Sequence, residues 1–352
     1  MTEVATRTDA AAIHWPAVLE GLLAGTDLDQ DTAHSLMMAV MAGEVAAPIV
    51  AALLTAMRAK GETPSEIAGF VRAMVENAVP IELAGPLVDT CGTGGDGANT
   101  FNVSTTVAPV IAAAGVRVAK HGNRAASSKV GSADLLEHFG VVIDLPADKV
   151  AQCVDELGIG FLFARSFHPA MRHVGPVRAA LGIRTVFNIL GPLSNPAGAQ
   201  HQVVGVAARD LAPLVADTMA ELGKAHVLVF RGSDGLDELT TTGPSDLWEV
   251  RDGVVTQSTF DPADLGIPAA TLDQLAGGEA EDNAAITRAV LQGEAGAPAD
   301  LVALNAGAAL YAADHVASIE AGVERAREVL ASGAAWDLLQ RWASRSRELA
   351  AD

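Results

Sequence analysis

The pattern that most restricts this chain begins at Pro86, where short apolar segments start to alternate with helical ones. Leu87-Val88 runs into a glycine-rich stretch, Val103 to Ala114 reads as a helix, and Val116-Arg117-Val118 as a second strand. Val141 to Leu145 and Gly160 to Ala164 read as further strands, separated by a helix from Pro146 to Leu157. After an irregular stretch rich in Gly, Pro and Asn (Gly182 to Gly198), His201 to Ala208 and Ala225 to Phe230 resume the strand pattern. Strands alternating with helices pack as a mainly parallel sheet covered on both faces, so the expected fold class is α/β. Leu247 to Phe260, with Asp252-Gly253 in its middle, predicts a hairpin, and Ala299 to Leu349 is helical.

Residues 13 to 79 carry helical signals and little strand character. Leu19, Leu22 and Leu23 form one apolar face, and Ile49, Leu53, Leu54 and Met57 another. Thr63-Pro64-Ser65-Glu66 marks a helix start, with Thr63 as cap and Pro64 at the first helical position. Several short packed helices follow, in a scaffold or a dimer contact.

Composition narrows the partners. Of 352 residues half are hydrophobic but only 4% aromatic, so Ala, Val, Leu and Ile must fill the interior. The 43 acidic residues against 23 basic ones give a net charge of -20, which disfavours nucleic acid and anionic membrane surfaces. An anionic substrate then needs a local basic pocket. Cys91 and Cys153 cannot form a secreted-type disulfide framework and suit a reducing cytoplasm. The first residues lack a basic region followed by an apolar core, so no signal peptide is expected, and no apolar run is long enough for a membrane span.

Gly92-Thr93-Gly94-Gly95-Asp96-Gly97 follows a predicted strand, so its N–H groups can form an anion-binding nest. Its spacing also fits GxGxxG. A dinucleotide loop, however, opens directly into a helix and has an acid about 20 positions on. Here Ala98 to Asn102 delay the helix, and the second strand ends near Lys120. No Gly-Lys-Ser/Thr closes a Walker A loop. A plain glycine turn remains open at this point. Its neighbours favour a ligand: Ser104 and Thr105 stand at a helix start suited to phosphate, or to ordinary capping. Lys120, Arg124 and Lys129 concentrate positive charge after the second strand, and Gly131-Ser132-Ala133-Asp134 begins another helix. Ligands in such folds bind at the carboxyl ends of the strands. Three such segments point to an extended polyphosphate.

The segments GTGGDGANTFNVST (92 to 105), KHGNRAASSKVGSADLLE (120 to 137), HPAMRHVGPVRAALGIRTVFNILGPLSNPA (168 to 197) and DGLDELT (234 to 240) resemble, in order and spacing, the signatures of the anthranilate phosphoribosyltransferase family. The resemblance covers nearly the whole chain. It implies transfer of the 5-phosphoribosyl group from 5-phosphoribosyl 1-diphosphate to anthranilate, in tryptophan biosynthesis, by a cytoplasmic homodimer. It also implies a fold like the pyrimidine nucleoside phosphorylases: a helical domain over 1–85, joined in space by part of 168–197, and an α/β domain over 86–352.

Position by position, the resemblance puts Gly92, Gly95, Asp96, Thr100, Asn102, Val103, Ser104 and Thr105 around the donor. Lys120, His121, Gly122, Asn123, Arg124, Ala125, Ala126, Ser127 and Ser128, with Ser132, complete that site. Asn123 and Arg178 match the anthranilate contacts, and Ser104, Asp237 and Glu238 the Mg²⁺ ligands. Lys120 and Arg178 are the candidate catalytic groups, for leaving-group charge and for the anthranilate carboxylate. Taken alone, Asp237-Glu238 is an acidic turn and Arg178 a salt-bridge partner. His121, His168 and His173 receive no proton-transfer role.

Overall fold

The helical signals of residues 13 to 79 become four helices in a computed structural model that describes residues 13–125 and 129–351: α1 (Trp15–Leu23), α2 (Gln30–Met41), α3 (Ala47–Lys60) and α4 (Pro64–Glu76). Thr63 caps α4 as expected. Its hydroxyl accepts the Glu66 N–H while the Glu66 carboxylate accepts the Thr63 N–H, a reciprocal box worth about 1 kcal/mol. That carboxylate is fully buried, and it also takes the Leu28 N–H and the Lys60 ammonium. One paired charge thus ties the approach to α2, the end of α3 and the start of α4. Leu53, Leu54 and Met57 are buried as the periodicity requires. Leu23 is not: it is 70% exposed at the end of α1, turned away from the face that Leu22 buries.

The chain then runs through β1 (Val88–Gly92), α5 (Val103–Ala113), β2 (Val118–Gly122), α6 (Ser132–His138), α7 (Ala147–Leu157), β3 (Ile159–Phe163) and α8 (Ala164–Phe167). A 3₁₀ helix, Pro169–His173, leads to α9 (Gly175–Leu181) and α10 (Phe187–Leu193). Beyond them lie β4 (His201–Gly205), α11 (Leu211–Glu221), β5 (His226–Gly232), β6 (Ser245–Arg251) and β7 (Val254–Phe260). Five more helices close the chain: α12 (Leu272–Leu275), α13 (Ala280–Leu291), α14 (Ala297–Ala312), α15 (Ile319–Ser332) and α16 (Ala334–Ala351). One unit takes the residues through Val79 together with His168–Ser194, and the other takes Pro80–Phe167 and Asn195 onward.

In the second unit the described strands form one sheet in the order β3-β2-β1-β4-β5-β6-β7. The first five are parallel, and β6 and β7 are the antiparallel hairpin expected at Asp252-Gly253. α5 and α14 are buried over nearly their whole surface, which is why their sequences are apolar on all sides. Among the described residues no helix is long and apolar enough to cross a membrane.

Three expectations need correction. Val141 to Leu145 joins no sheet: Val141, Ile143 and Leu145 are buried alternately as in a strand, but the Val142 N–H goes to Ser346 Oγ at 3.0 Å on α16. Period-two burial does not require a ladder. The second strand starts at Val118 and runs to Gly122, so Lys120 and His121 are strand residues rather than loop residues. The irregular stretch from Gly182 contains α10.

Candidate active site

Four of the five parallel strands, β1, β2, β4 and β5, end in glycine, and for β1 and β4 the reason is steric. Gly92 of β1 and Gly205 of β4 are register partners. A methyl group on Gly92 would collide with the Asp237 carboxylate, and one on Gly205 with the Asp237 backbone carbonyl. The absence of both methyls lets the loop after β5 fold back over the ends of β1 and β4. There the Gly94 N–H donates to Asp237 Oδ2 at 2.7 Å, joining the glycine loop to the acidic loop 143 residues away.

The result is a cluster of acids. Burial, then the charge of Asp96, pushes the Asp237 carboxyl up to about 7, and Asp96 also shares a side-chain hydrogen bond with it. Glu238 is 9% exposed and is held well above the carboxylate range, by burial first and by Asp237 second. Lys120 and a hydrogen bond from the Ser104 N–H oppose that rise. Ser104 and Glu238 therefore meet directly at the start of α5, where free N–H groups favour negative charge.

Lys120 lies deeper than its motif suggests. It is 2% exposed, with its ammonium 2.5 Å from the Thr90 carbonyl, 3.3 Å from Thr90 Oγ1 and 3.4 Å from Ser104 Oγ. Burial lowers its pKa, while Asp89, Cys91 and Glu238 favour the cation. Asp89, fully buried, is held by Asn195 Nδ2 at 2.8 Å and by the His121 N–H at 3.1 Å. The positive charge thus sits behind Ser104, fixed from below.

The other two cations of this segment are already paired, which corrects the reading of a concentrated free charge. Arg124 binds Asp134 at 2.9 Å and both oxygens of Glu137, and its guanidinium lies 5.8 Å from the Phe163 ring centre. Lys129 binds Glu279 at 2.9 Å. Asp134 in turn accepts the N–H groups of Gly131 and Ala125, and so builds the turn before α6. Asn123 stays exposed, while its carbonyl takes the Ser132 hydroxyl at 3.1 Å. A methyl at Gly122 would collide with that same hydroxyl. Ala126, Ser127 and Ser128 lie outside the described residues.

Around the glycine loop, Asn102 uses both ends of its amide, donating to the Val130 carbonyl at 2.9 Å and accepting from Asn283 at 3.0 Å. Val103 and Thr105 are buried at the start of α5, and Thr100 makes an isolated bridge to Ala276. Gly95 is exposed in the loop. α5 opens at Val103, clear of the glycines, and β2 carries Lys120 near its end, so neither dinucleotide hallmark is present.

Arg178 belongs to the other unit, on α9. Its guanidinium lies 5.5 Å from the Phe187 ring centre, burial lowers its pKa, and none of the described carboxylates pairs with it. The salt-bridge alternative for this residue therefore loses its partner. His168 is 5% exposed and its Nε2 lies 3.0 Å from the Ser194 carbonyl, joining the two ends of the inserted segment. Burial raises the Cys91 thiol, which takes a hydrogen bond from Gln202, and it pushes Cys153 up to about 11. Neither is poised as a nucleophile.

Among the described residues no group of three or more His, Cys, Asp or Glu could hold a metal by itself. A hard cation that shares its shell with substrate phosphates needs only a few protein oxygens. The oxygens of Asp237, Glu238 and Ser104 are of that kind. Burial first, and the neighbouring acids second, make a negative charge on Asp237 and Glu238 unfavourable, an imbalance a divalent cation corrects. The residues fit Mg²⁺.

Residues 84–336 match the family described as "Glycosyl transferase family, a/b domain", and residues 16–78 the "Glycosyl transferase family, helical bundle domain". The chain is 51% identical over 344 residues to the anthranilate phosphoribosyltransferase of Arthrobacter sp. (strain FB24), covering 96% of this chain and 97% of that one. The crystal structure of the anthranilate phosphoribosyltransferase from Thermus thermophilus superposes with a TM-score of 0.89 at 50% identity, over 94% of this chain and 99% of that chain. The Saccharomyces cerevisiae enzyme in complex with phosphoribosyl diphosphate (PRPP) and Mg matches at 26% identity with a TM-score of 0.86, over 97% and 99% of the two chains.

Proposed function

This chain belongs to the anthranilate phosphoribosyltransferase family, and from that premise we propose how its residues transfer the 5-phosphoribosyl group of 5-phosphoribosyl 1-diphosphate to the amine of anthranilate. The products are N-(5-phosphoribosyl)anthranilate and diphosphate, a step of tryptophan biosynthesis. The observation that carries the reading is the pair Asp237-Glu238, held as unbalanced acids against the glycine loop and Ser104.

In the reaction the bond from ribose C1 to the diphosphate oxygen breaks, the bond from C1 to the amine nitrogen forms, and the amine proton leaves to solvent. Positive charge develops on the sugar ring and negative charge on the leaving diphosphate. Asp237, Glu238 and Ser104 would hold Mg²⁺, which would supply charge neutralisation for the diphosphate. The glycine loop from Gly92 to Gly97 offers N–H groups to the same donor, and α5 adds the positive end of its dipole. Lys120 keeps Ser104 in place and supplies a fixed positive field through it, without reorganisation during the reaction.

The nucleophile is a neutral aromatic amine at pH 7, so it needs orientation more than a base. Arg178, stacked on Phe187 and without an acid partner among the described residues, pairs with the anthranilate carboxylate, and Asn123 assists. No histidine is required. The metal, the homodimer and the cytoplasmic location are part of this proposal; the two thiols and the acidic surface accord with the last.

The test is direct. Purified chain with Mg²⁺, anthranilate and phosphoribosyl diphosphate should consume anthranilate fluorescence; a folded protein that leaves the signal intact overturns the proposal. Arg178→Ala should raise the KM for anthranilate roughly 10- to 100-fold, the size of one lost charge-assisted hydrogen bond. The KM for the donor should stay within about twofold, and equal effects on both would remove Arg178 from its role.

A further inference from the structure

The loop that carries Asp237 and Glu238 is clamped on both flanks. Upstream, Asp234 accepts the Leu236 N–H at 3.0 Å and the hydroxyls of Thr240 and Thr242, each at 2.6 Å. Downstream the clamp comes from a different element. Asn305, 2% exposed in the middle of α14, accepts the Leu239 N–H at 3.0 Å and donates to the Leu239 carbonyl at 2.9 Å. Its amide also donates to the Leu301 carbonyl of its own helix at 2.9 Å.

An amide that engages both the N–H and the C=O of one residue fixes that residue's position and its rotation, as a neighbouring strand would. Leu239 directly follows Glu238, so the anchor lies one residue from the carboxylates. α14 is rigid by construction, since it is packed on nearly every side. A polar side chain in such a helix is costly unless all its groups are bonded, and here both ends are.

We propose that Asn305 is a positioning residue for the metal-binding carboxylates, a role that rests on the reading of Asp237 and Glu238 as Mg²⁺ ligands. Groups that orient metal ligands without touching the metal typically contribute 10- to 100-fold to affinity. Asn305 does this through the backbone rather than through a ligand side chain.

The experiment compares Asn305→Ala and Asn305→Asp in the full chain. The second keeps the volume and the acceptor to the Leu239 N–H, and sets an oxygen against the Leu239 carbonyl. Mn²⁺ is titrated in the presence of inorganic diphosphate and followed by water-proton relaxation, and the Mg²⁺ concentration for half-maximal turnover is measured in parallel. Both values should rise roughly 10- to 100-fold, with turnover recovering at saturating metal and the KM for anthranilate unchanged. A merely structural role would lower turnover equally at every metal concentration, and that result, or native metal affinity in both variants, overturns the proposal. If Asn305→Ala fails to fold, Asn305→Asp alone decides. Asp237→Asn with Glu238→Gln runs alongside. Lost Mn²⁺ binding in that pair, with native affinity in the Asn305 variants, overturns only the role of Asn305. Native affinity in that pair overturns the ligand assignment itself.

Discussion

Asp237→Asn is expected to melt at a higher temperature than the native chain above pH 7 while losing roughly a hundredfold or more of its Mg²⁺-dependent turnover. Burial, with Asp96 beside it, pushes the Asp237 carboxyl up to about 7. In the unfolded chain the same group ionises in the ordinary carboxylate range. Between those two values the folded state binds the extra proton, so stability falls as the pH rises through that window. Above pH 7 the full penalty is present. The asparagine removes the charge but still accepts the Gly94 N–H, and its amide can donate to Asp96. A relief of about 1 kcal/mol raises the melting midpoint by roughly 1 to 2 °C. The gap between the two proteins should shrink as the pH falls from about 7 toward about 4, where the native group is protonated when folded. Thermal melts without metal at several pH values check this. An asparagine variant that is less stable at pH 8, or whose advantage does not shrink in acid, would show that Asp237 is not held as an unfavourable charge. Adding Mg²⁺ and diphosphate should reverse the order, because only the native chain gains from the metal.

Burying an acid in this way costs the fold stability, and that cost was only partly written in the local sequence. The alternation after Pro86 specified an α/β unit with a mainly parallel sheet, because periodic burial is a local property. The capping box at Thr63 and the hairpin at Asp252-Gly253 are local too. Pairing through space is not. Val141 to Leu145 alternates like a strand yet finds Ser346 rather than a neighbouring strand. Arg124 and Lys129 read as free positive charge until the fold brings Glu137 and Glu279 to them. Asp96 was legible as part of a glycine loop but not as the carboxyl that presses on Asp237. Asn305 gave no signal beyond one amide in an alanine-rich helix, since its partner lies 66 residues away. The motifs therefore named the candidate residues, whereas the contacts that hold them required the fold.

Gly205→Ala and Gly92→Ala, one methyl group each, are expected to fail in different ways although the two positions face each other across β1 and β4. At Gly205 the new methyl meets the backbone carbonyl of Asp237, with its carbonyl carbon and Cα close behind. No side-chain rotation relieves that, so the loop must lift or the strand must shift. Overpacking of this kind costs about 1–3 kcal/mol, and it should show in urea melts together with a raised Mg²⁺ requirement. At Gly92 the methyl meets mainly the carboxylate of Asp237, which can swing aside at the cost of its bond to the Gly94 N–H. Gly92→Ala should therefore unfold within about 1 kcal/mol of the native chain while its Mg²⁺ requirement rises about tenfold or more. The distinction can be made sharp by repeating both in an Asp237→Ala background. There the carboxylate is gone, so Gly92→Ala should add little to the melt or to the metal requirement, a coupling close to the whole of its effect. Gly205→Ala should keep its full cost, because the carbonyl it strikes remains. Equal behaviour of the two glycines in that background would mean that the acidic loop is not seated on the strand ends through Asp237, and the steric basis of the site would have to be sought elsewhere along β1 and β4.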